Sequence, residues 1–442
     1  MTSLELLPLF IFLLTIFLIF KQPSLRIPFT SRHFHIDYGV APLIGAILLF
    51  ILSSGNLSIL YKGMAGTDTV RPYSILIIIF SLSYICVSLD HTGFFEYLSL
   101  KMVKASKGSG FRLFIYTFLL SSILTLFTDN DIVILTLTFL LIYVCRKAEI
   151  DPLPFLLVEF FSVNIVGMGL YIGNPTNIIG ADAYGLSFLD YAKWMILPSF
   201  IGGSACFFIL WAVFRKKISK KFSVPPIPPS AAIKNRESAI FGANVLCLTI
   251  LFMSLPYEIT LAPLWMIALF FALVMIIHDI MVYGPYFTEV SARVPWKICP
   301  FLFGLFVIVD QLSSAGIPER FGSFISGISP NVPVAMLFIL LTSVVAAGFM
   351  NNHPMSLLFV KAIHGGAFAL PKLGPTLALI AGSSLGGNLM LTGSLAGIMW
   401  ARILAERGRP ISFSEFLKYG VIITFPVIAV IWGVLIFELS MF

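Results

Sequence analysis

Charged side chains are scarce in this sequence. Only 11% of the 442 residues are Asp, Glu, Lys or Arg, whereas a soluble globular domain carries about a quarter. Hydrophobic residues make up 58% and form long runs such as LLPLFIFLLTIFLIF and VIITFPVIAVIWGVLIF. Such runs approach or exceed the ~30 Å thickness of a bilayer core at ~1.5 Å per helical residue. The composition therefore excludes an ordinary soluble domain and predicts a multi-pass membrane protein. The plasma (inner) membrane is the expected location, although composition does not itself distinguish between membranes.

Cysteine is also sparse, and it follows no pattern. The five cysteines are scattered, most lie inside apolar runs, and no Cys-x-x-Cys pair occurs. We expect them to be small buried hydrophobic residues. The sequence has no phosphate-binding loop, no cluster of metal ligands and no nucleophile–base set, so we predict neither an ATPase nor another enzyme, and no metal or cofactor. The net charge of +7 reflects membrane topology and predicts no nucleic-acid partner.

Ten apolar segments are candidates for membrane spans. The first resembles a signal peptide in length, but it begins without basic residues and lacks a clear small-residue cleavage site, so we expect a retained helix. The ten segments lie near 4–20, 38–54, 73–89, 154–185, 194–214, 238–254, 261–282, 297–312, 375–403 and 416–438.

Two further apolar stretches, 111–144 and 333–362, are interrupted at their centres by polar residues. LFTDNDIV (126–133) interrupts the first and GFMNNHPM (348–355) the second. Each half has about 14–17 residues, which is short for a span. We therefore predict two re-entrant hairpins, each of which enters and leaves the membrane on the same side.

Positive charge predicts the orientation of the spans. Successive connections between spans lie on alternate sides of the membrane, and 22 of the 28 Lys and Arg residues fall on one side. The positive-inside rule makes that side cytoplasmic, and both termini are then outside.

The basic, proline-rich loop at 214–238 is the strongest candidate for a linker between two halves. The segment GFFEYLSLKMVKASKG places Phe94, Phe95, Leu98 and Met102 on one face, as expected of an interfacial helix.

The two halves of the chain repeat one another. FTDNDIV at 127–133 matches FMNNHPM at 349–355 with an offset of 222, and GMGLYIGNPTN at 167–177 matches GNLMLTGSLAG at 387–397 with an offset of 220. SFLDYAKW at 187–194 matches SFSEFLKY at 412–419 with an offset of 225. The first hairpin opens to the cytoplasm and the second to the outside, so the repeats are inverted, as in many secondary transporters.

Residues that break helices recur at the centres of two spans. Gly173 and Pro175 interrupt the first span, and Gly387 and Gly393 interrupt the matching one. Broken helices expose carbonyl groups and helix-end N–H groups, which suit a small polar solute or a weakly held cation. The predicted substrate ligands at the breaks and tips are Thr128, Asn130, Gly173, Asn174, Thr176, Asn177, Asn351, Asn352, Asn388, Thr392, Gly393 and Ser394.

Six acids lie at or near membrane depth, where an unpaired carboxylate is costly. They are Asp90, Asp129, Asp131, Glu159, Asp182 and Asp310. Asp129 and Asp131 are the strongest candidates for carrying a coupling proton or cation, because they sit at a hairpin tip; the alternative is a carboxylate that caps the next helix. Asp182, which follows a break, and His353 are further candidates for coupling, the latter because an unperturbed imidazole titrates near neutral pH.

These motifs resemble the arsenical-pump membrane protein family. The resemblance covers about 73–438 and rests on NPTNIIGADAYGLSFLDYAKWM, on LFTDNDIVILTLT and MNNHPMSLLF, and on GGNLMLTGSLAGIMWARILAERGRPISFSEFLKYG. The Gly-Ser-Leu-Ala segment is fairly specific to the metalloid branch of a superfamily that includes sodium/proton antiporters, silicon-efflux transporters and dicarboxylate carriers. The extra acid in Thr128-Asp129-Asn130-Asp131 and the histidine at 353 depart from the family pattern.

The resemblance implies an elevator-type carrier that exports arsenite or antimonite, which are neutral trihydroxy species, in exchange for protons. It also implies a homodimer and, for part of the family, a soluble ATPase subunit as partner. A sodium (cation)/proton antiporter that uses Asp129 and Asp131 as ligands stays an alternative, and so does an uncoupled permease.

The predicted fold is therefore all-α, with about ten transmembrane spans, two re-entrant hairpins and two broken helices in inverted repeats. The predicted domains are N-terminal helices (1–72), a first transport repeat (73–214), a cytoplasmic linker (215–237), connecting helices (238–296) and a second transport repeat (297–442).

Overall fold

The protein is helical almost throughout. A computed structural model describes residues 3–26, 33–66, 71–218, 221–224 and 226–441. Arg32 and Lys220, two of the cations that predict the orientation, lie outside the described residues. Apart from one antiparallel pair of three-residue strands, β1 (Ser24–Arg26) and β2 (His33–His35), the regular elements in the described part of the chain are helices. The predicted all-α class is confirmed.

The helices of the first half follow the predicted order. After α1 (Ser3–Lys21), α2 (Val40–Leu52) and α3 (Leu57–Ala65), a long helix leads to a short amphipathic helix, a helical hairpin, a broken helix and a final long helix. These are α4 (Pro72–His91), α5 (Phe94–Ala105), α6 (Gly110–Phe127), α7 (Asn130–Lys147), α8 (Leu153–Gly167), α9 (Pro175–Tyr184) and α10 (Phe188–Phe214).

The second half repeats this series after four connecting helices, α11 (Arg236–Ser254), α12 (Tyr257–Thr260), α13 (Leu264–Tyr283) and α14 (Phe287–Arg293). Its members are α15 (Ile298–Ser314), α16 (Ile317–Ile328), α17 (Val332–Met350), α18 (Asn352–His364), α19 (Leu373–Leu389), α20 (Leu395–Glu406) and α21 (Phe413–Met441). The amphipathic helices α5 and α16 both follow a left-handed glycine, Gly93 (φ 83°) and Gly316 (φ 72°). The repeat therefore extends to individual helix caps.

Eight helical stretches are long and apolar enough to cross a membrane: Pro72–His91, Gly110–Phe127, Phe188–Phe214, Arg236–Ser254, Leu264–Tyr283, Phe287–Ser314, Val332–Met350 and Phe413–Met441. The shorter apolar helices Leu6–Lys21, Val40–Leu52 and Leu153–Gly167 lie in three more of the predicted spans. The remaining predicted span, 375–403, is the broken pair α19 and α20.

The predicted length of the hairpin halves is wrong for three of the four. Helices α6 and α7 have 18 residues each and α17 has 19, whereas only α18, with 13, stays short. The first helix of each hairpin begins before its most apolar run because a polar side chain caps it. Ser109 accepts a hydrogen bond from Arg112 N, and Asn331 accepts one from Val334 N; such caps fix where a helix begins.

Much of the basic loop after α10 lies along a neighbouring helix. Residues 221–224 and 226–235, which we call the strap, run antiparallel to α5. Phe222 N donates to Gly108 O (2.7 Å) beyond one end of α5, and Lys234 N donates to Thr92 O (2.9 Å) before the other. A Cβ on Gly93 would collide with Ala232 O. Part of the face of α5 that the sequence assigns to the membrane interface is therefore covered by protein.

Loops that the charge count assigns to one side contact one another. Lys297 forms an ion pair with Asp37 (2.6 Å), and Arg293 lies 3.9 Å from Asp90. The backbone of Gly408 approaches the guanidinium of Arg146. The structure thus gathers the predicted cytoplasmic loops at one end of the molecule.

Candidate functional site

The tip of each hairpin is the N-terminus of a helix. Asp129 caps α7 by accepting a hydrogen bond from Asp131 N (3.2 Å), and Asn351 caps α18 by accepting one from His353 N (3.3 Å). The two caps are separated by the predicted offset of 222 residues. The capping role considered for the acids at the first tip is therefore present at Asp129. Thr128 ends α6, and its hydroxyl donates to Leu124 O (2.7 Å).

Each broken helix also restarts at a capped N-terminus. Asn174 caps α9 by accepting hydrogen bonds from the N–H and the hydroxyl of Thr176, both at 3.0 Å. Ser394 caps α20 by accepting one from Gly397 N (3.0 Å). These caps come 220 residues apart, as the sequence repeat predicts.

Glycine at two positions allows the broken chain to fold back on the preceding helix. A Cβ on Gly173 would collide with Gly167 O, and a Cβ on Gly393 would collide with Gly386 O. The prediction that Gly387 also unwinds the second span is wrong, because this residue lies inside α19. A Cβ there would approach Ser394 Oγ at 2.7 Å, so Gly387 permits close packing instead.

Each hairpin tip is hydrogen-bonded to the break of its own repeat. Asn130 N donates to Gly173 O (3.3 Å) in the first repeat. In the second, Asn351 Nδ2 donates to Thr392 O (3.5 Å), and Thr392 Oγ1 donates to Gly348 O (2.7 Å). Four helix N-termini, those of α7, α9, α18 and α20, are therefore tied together in two pairs.

Three buried side-chain amides join the first hairpin tip to the second broken helix. Asn130 Nδ2 donates to Asn164 Oδ1 (3.2 Å), and Asn164 Nδ2 donates to Asn388 Oδ1 (2.9 Å). Asn388 Nδ2 then donates to the carbonyl oxygen of Phe161 (3.4 Å). A second link between the repeats is the hydrogen bond from Ser383 Oγ to Thr176 Oγ1 (2.9 Å).

Asn164 and Ser383 were not among the predicted ligands. Asn164 is a single amide within the apolar sequence of α8, and Ser383 lies in the small-residue sequence of α19. Buried polar residues in a span are a general signal of a functional site or of helix contacts. That signal could have identified Asn164, but it could not have identified Asn130 and Asn388 as its partners.

Several buried polar atoms among the described residues lack a hydrogen-bond partner, and three of them belong to residues predicted to bind substrate or to couple transport. They are Asn177 Oδ1, Asn352 Oδ1 and His353 Nε2. The amide nitrogen of Asn177 is engaged, since it donates to Gly167 O and Leu170 O at 2.9 Å each. His353 Nδ1 lies 3.2 Å from Asn351 Oδ1, so a neutral ring that donates there leaves Nε2 as an acceptor. All three atoms are then acceptors that a ligand with hydroxyl groups would satisfy.

Comparison with known proteins assigns the family. The citrate transporter (CitMHS) family matches residues 12–376, most of the chain. The chain belongs to the citrate transporter family. It is 27% identical to the arsenical pump membrane protein of Escherichia coli K12, over 97% of this chain and 98% of that protein. It is 28% identical to an uncharacterized transporter of Mycobacterium tuberculosis, over 81% of this chain and 84% of the relative.

A solved structure agrees with the fold. The Alcanivorax borkumensis YdaH transporter, whose topology is described as unusual, matches with a TM-score of 0.57 over 98% of both chains, at 11% identity. The resemblance to the arsenical-pump membrane protein family is confirmed by the named relatives. This member of the citrate transporter family is an integral inner-membrane protein and a transporter of small molecules or ions.

The predicted coupling residues of this family member do not all lie together. Asp129 is buried, Asp131 is half-buried two residues away, and His353 lies buried at the other tip against Phe301 (ring centroids 5.6 Å apart). Asp182 lies about two turns beyond the first break and accepts a hydrogen bond from Arg71 N (3.2 Å). The structure therefore places Asp182 away from the hairpin tips.

The other acids at membrane depth have separate surroundings. Glu159 is fully buried and accepts a hydrogen bond from Thr138 Oγ1, at 2.8 Å to Oε1 and 3.0 Å to Oε2. Asp90 accepts one from Thr136 Oγ1 (3.0 Å), and Asp310 lines a small cavity with Lys62 and Lys361. Among the described residues, no group of three or more His, Cys, Asp or Glu side chains is placed to hold a metal ion.

Proposed function

We propose that this protein exports arsenite, antimonite or a similar small neutral hydroxy solute in exchange for protons. The substrate would bind where the hairpin tips meet the broken helices. The proposed ligands are amide, hydroxyl and backbone groups, with no lysine or arginine among them. A neutral solute needs no balancing cation at such a site, and the arsenical pump relatives support this class of substrate.

The observation that carries the proposal is the set of unpaired acceptors. Asn177 Oδ1, Asn352 Oδ1 and His353 Nε2 are buried without donors among the described residues. Leaving such a group unpaired costs about 1–3 kcal/mol. A trihydroxy solute donates up to three hydrogen bonds and has no charge to desolvate, so it offers the donors that acceptors of this kind lack.

Access from one end is supported by a cavity of about 620 Å³ that contains Arg71, Asp182 and Tyr171. Tyr171 lies in the segment between α8 and α9, two residues before Gly173, so the cavity lies on the side of the first break that leads to this end of the molecule. We infer that the cavity belongs to the path by which solute or protons leave the site. The elevator movement implied by the family resemblance stays a prediction.

Expression in an arsenite-sensitive bacterial host that lacks its own pump tests the substrate. The wild type is expected to restore growth on arsenite and to drive accumulation of arsenite in everted vesicles. Asn177→Leu and Ser394→Leu should abolish both at unchanged protein levels, because each replaces a polar group at a break. Ser440→Leu, at the exposed end of α21, is the control and should keep wild-type activity.

Citrate or another carboxylate is a second candidate. The family description names citrate, and the four helix N-termini at the tips and breaks carry partial positive charge that favours anions. Asp129 and Asp131 oppose a trianion at the same site. Citrate uptake by the same vesicles, without arsenite transport, would replace the metalloid proposal with this one.

Cation exchange and uncoupled transport are the remaining alternatives. Carboxylate and carbonyl oxygens are the usual ligands of hard cations, and the first tip provides both. Sodium- or lithium-dependent proton movement in the absence of arsenite would favour an antiporter. Arsenite movement that is unaffected by a pH gradient would favour an uncoupled permease. The homodimer and the soluble ATPase subunit stay predictions from the family resemblance.

A further inference from the structure

A second cavity of about 620 Å³ lies at the end of the molecule that holds the strap. Its wall is formed by the strap, by α5 and α7, and by residues at the ends of α4, α14 and α20. It includes none of the predicted substrate ligands. The lining residues that carry charge are Asp90, Glu96, Lys234, Arg293 and Arg407.

Positively charged side chains outnumber negatively charged ones in the lining of this cavity. Asp90 is engaged by Thr136 Oγ1 at 3.0 Å and lies 3.9 Å from Arg293. Among the described residues, Lys234 and Arg407 form no ion pair. Glu96 is the remaining acid, and it is exposed in the first turn of α5. Lys234 also interacts electrostatically with Asp90. The lining of the cavity therefore holds three cations against two carboxylates, with one positive charge in excess.

Both cations are held by neighbouring groups. The backbone of Lys234 is fixed by its hydrogen bond to Thr92 O (2.9 Å). The Arg407 guanidinium lies over the ring of Phe139, 4.9 Å from its centroid, in a cation–π arrangement. Arg146 lies beside Gly408, the residue that follows Arg407 in the chain, so a further cation is close to Arg407.

We propose that this cavity binds an anionic phosphate group, held between Lys234 of the strap and Arg407 at the end of α20. Guanidinium and ammonium groups are the usual ligands of phosphate in proteins. The group could come from a phospholipid of the inner leaflet or from a soluble phosphate ester, since both present the same oxygens. A bound phosphate would join the strap, which covers α5, to the second broken helix.

The site is tested by binding to the purified full-length protein in neutral detergent, so that the result does not depend on the transported substrate. The probes are inorganic phosphate, glycerol phosphate and short-chain phosphatidylglycerol, with short-chain phosphatidylcholine as the uncharged comparison. Wild-type protein is expected to bind at least one anionic probe saturably, and more weakly at high salt, because exposed charges are screened.

The double variant Lys234→Gln, Arg407→Gln should lose at least about tenfold in affinity for that probe, because the two charge-assisted contacts are removed. Lys217→Gln is the matched control, since it removes an exposed cation outside the cavity, and it should bind as the wild type does. Glu96→Gln should bind about threefold more tightly, because it removes the opposing carboxylate. A damaged fold would lower the affinity for the probe, so a gain in affinity indicates a specific site.

The outcomes distinguish a phospholipid from a soluble phosphate ester as the source of the phosphate group, and they show when the proposal fails. Binding of phosphatidylglycerol alone assigns the site to a lipid, whereas binding of all three anionic probes assigns it to the phosphate group itself. The proposal is overturned if the wild type binds no anionic probe saturably. It is equally overturned if the double variant and Lys217→Gln bind alike, or if Glu96→Gln has no effect.

Discussion

The two hairpin tips share a backbone geometry but differ in charge. Asp129 and Asn351 each cap a helix through the same bond, to the N–H two residues later. The N–H groups that donate to these caps belong to Asp131 in one repeat and to His353 in the other. Two carboxylates placed so close in a poorly hydrated site do not ionise together readily. A proton for exchange is therefore expected at the first tip and not at the second.

Asp129→Asn and Asp131→Asn test this assignment without disturbing the caps. Asparagine caps a helix about as well as aspartate does, so Asp129→Asn removes charge and keeps the start of α7. Replacing the proton carrier should leave substrate exchange intact and should abolish transport driven by a pH gradient. Both activities are measured in vesicles with internal pH monitored.

Asn351→Asp is the matched control at the other tip. It adds a carboxylate where none is needed and should not restore gradient-driven transport to either variant. If both single asparagine variants keep full gradient-driven transport, the proton is carried elsewhere. Glu159, Asp182 and Asp310 would then be the acids to replace next.

Asn164 is the residue through which the first hairpin tip and the second broken helix are joined. Its amide accepts from Asn130 and donates to Asn388, so a single side chain touches elements from both repeats. Its removal would leave two buried atoms, Asn130 Nδ2 and Asn388 Oδ1, without these partners, at a cost of about 1–3 kcal/mol each. We infer that Asn164 positions the site and need not contact the substrate itself.

Asn164→Leu should therefore lower arsenite transport by at least about tenfold. Ser162→Ala is the control, because it also removes a buried hydrogen bond of α8, to Ser121, but one that does not reach the tips. Transport kinetics are compared with melting temperatures for both variants. Equal losses of stability and equal losses of transport in the two variants would show that Asn164 contributes only to packing.

At the scale of elements, the broken helices depend on close contact between backbones. Gly173 and Gly393 occupy equivalent places, and each approaches the carbonyl of a residue in the preceding helix. The chain can reverse there because glycine has no Cβ. The prediction that these glycines interrupt the spans is confirmed, whereas Gly387 shows that a glycine in the same motif can belong to a continuous helix.

Gly173→Ala and Gly393→Ala should each destabilise the protein by about 1–3 kcal/mol, since backbone must move to admit the methyl group. Both should lower transport, because the caps at Asn174 and Ser394 would be displaced. Gly433→Ala is the control: it lies inside α21 with open space around it and should be neutral or stabilising. Thermal unfolding in detergent measures the difference. Wild-type stability in both break variants would contradict the role given to close packing.

At the scale of the whole molecule, loops that the charge count assigns to the same side of the membrane lie at the same end of the structure. Segments distant in sequence that the count assigns to the cytoplasm meet at one end, where the strap lies against α5. Arg71 and Asp182 meet among the loops that the count assigns to the other side. The orientation itself and the domain boundaries stay predictions, because loop contacts alone do not say which end faces the cytoplasm.

Cysteine labelling tests the orientation. The expectation that the cysteines are buried holds for Cys86, Cys145 and Cys206 and is wrong for Cys247 and Cys299, which are exposed. In a variant without these two, Lys221→Cys in the strap should react with an impermeant reagent only from the cytoplasmic side. Lys62→Cys, in α3, is the reciprocal control and should react only from outside. The reverse pattern would invert the topology and exchange the sides to which the two hairpins open.

Much of the fold could be read from the sequence because its signals are local. Long apolar runs require helices in a bilayer, and glycine, proline and the capping residues mark where those helices break. Those signals located both hairpin tips and both breaks. They underestimated three of the four hairpin helices. The caps at Ser109 and Asn331 lie outside the most apolar runs of α6 and α17, and α7 includes polar residues at both of its ends.

By itself, the sequence determined the helical class, the two repeats and the polar character of the tips and breaks, because composition and caps act over a few residues. Only the tertiary structure decided which amides meet. The bonds from Asn164 to Asn130 and Asn388 join residues 34 and 224 positions apart, and no local pattern encodes such a distance. The strap was likewise beyond the sequence, since a basic, proline-rich segment has no regular periodicity. Its course depends on the bonds that Thr92 and Gly108 offer at the two ends of α5.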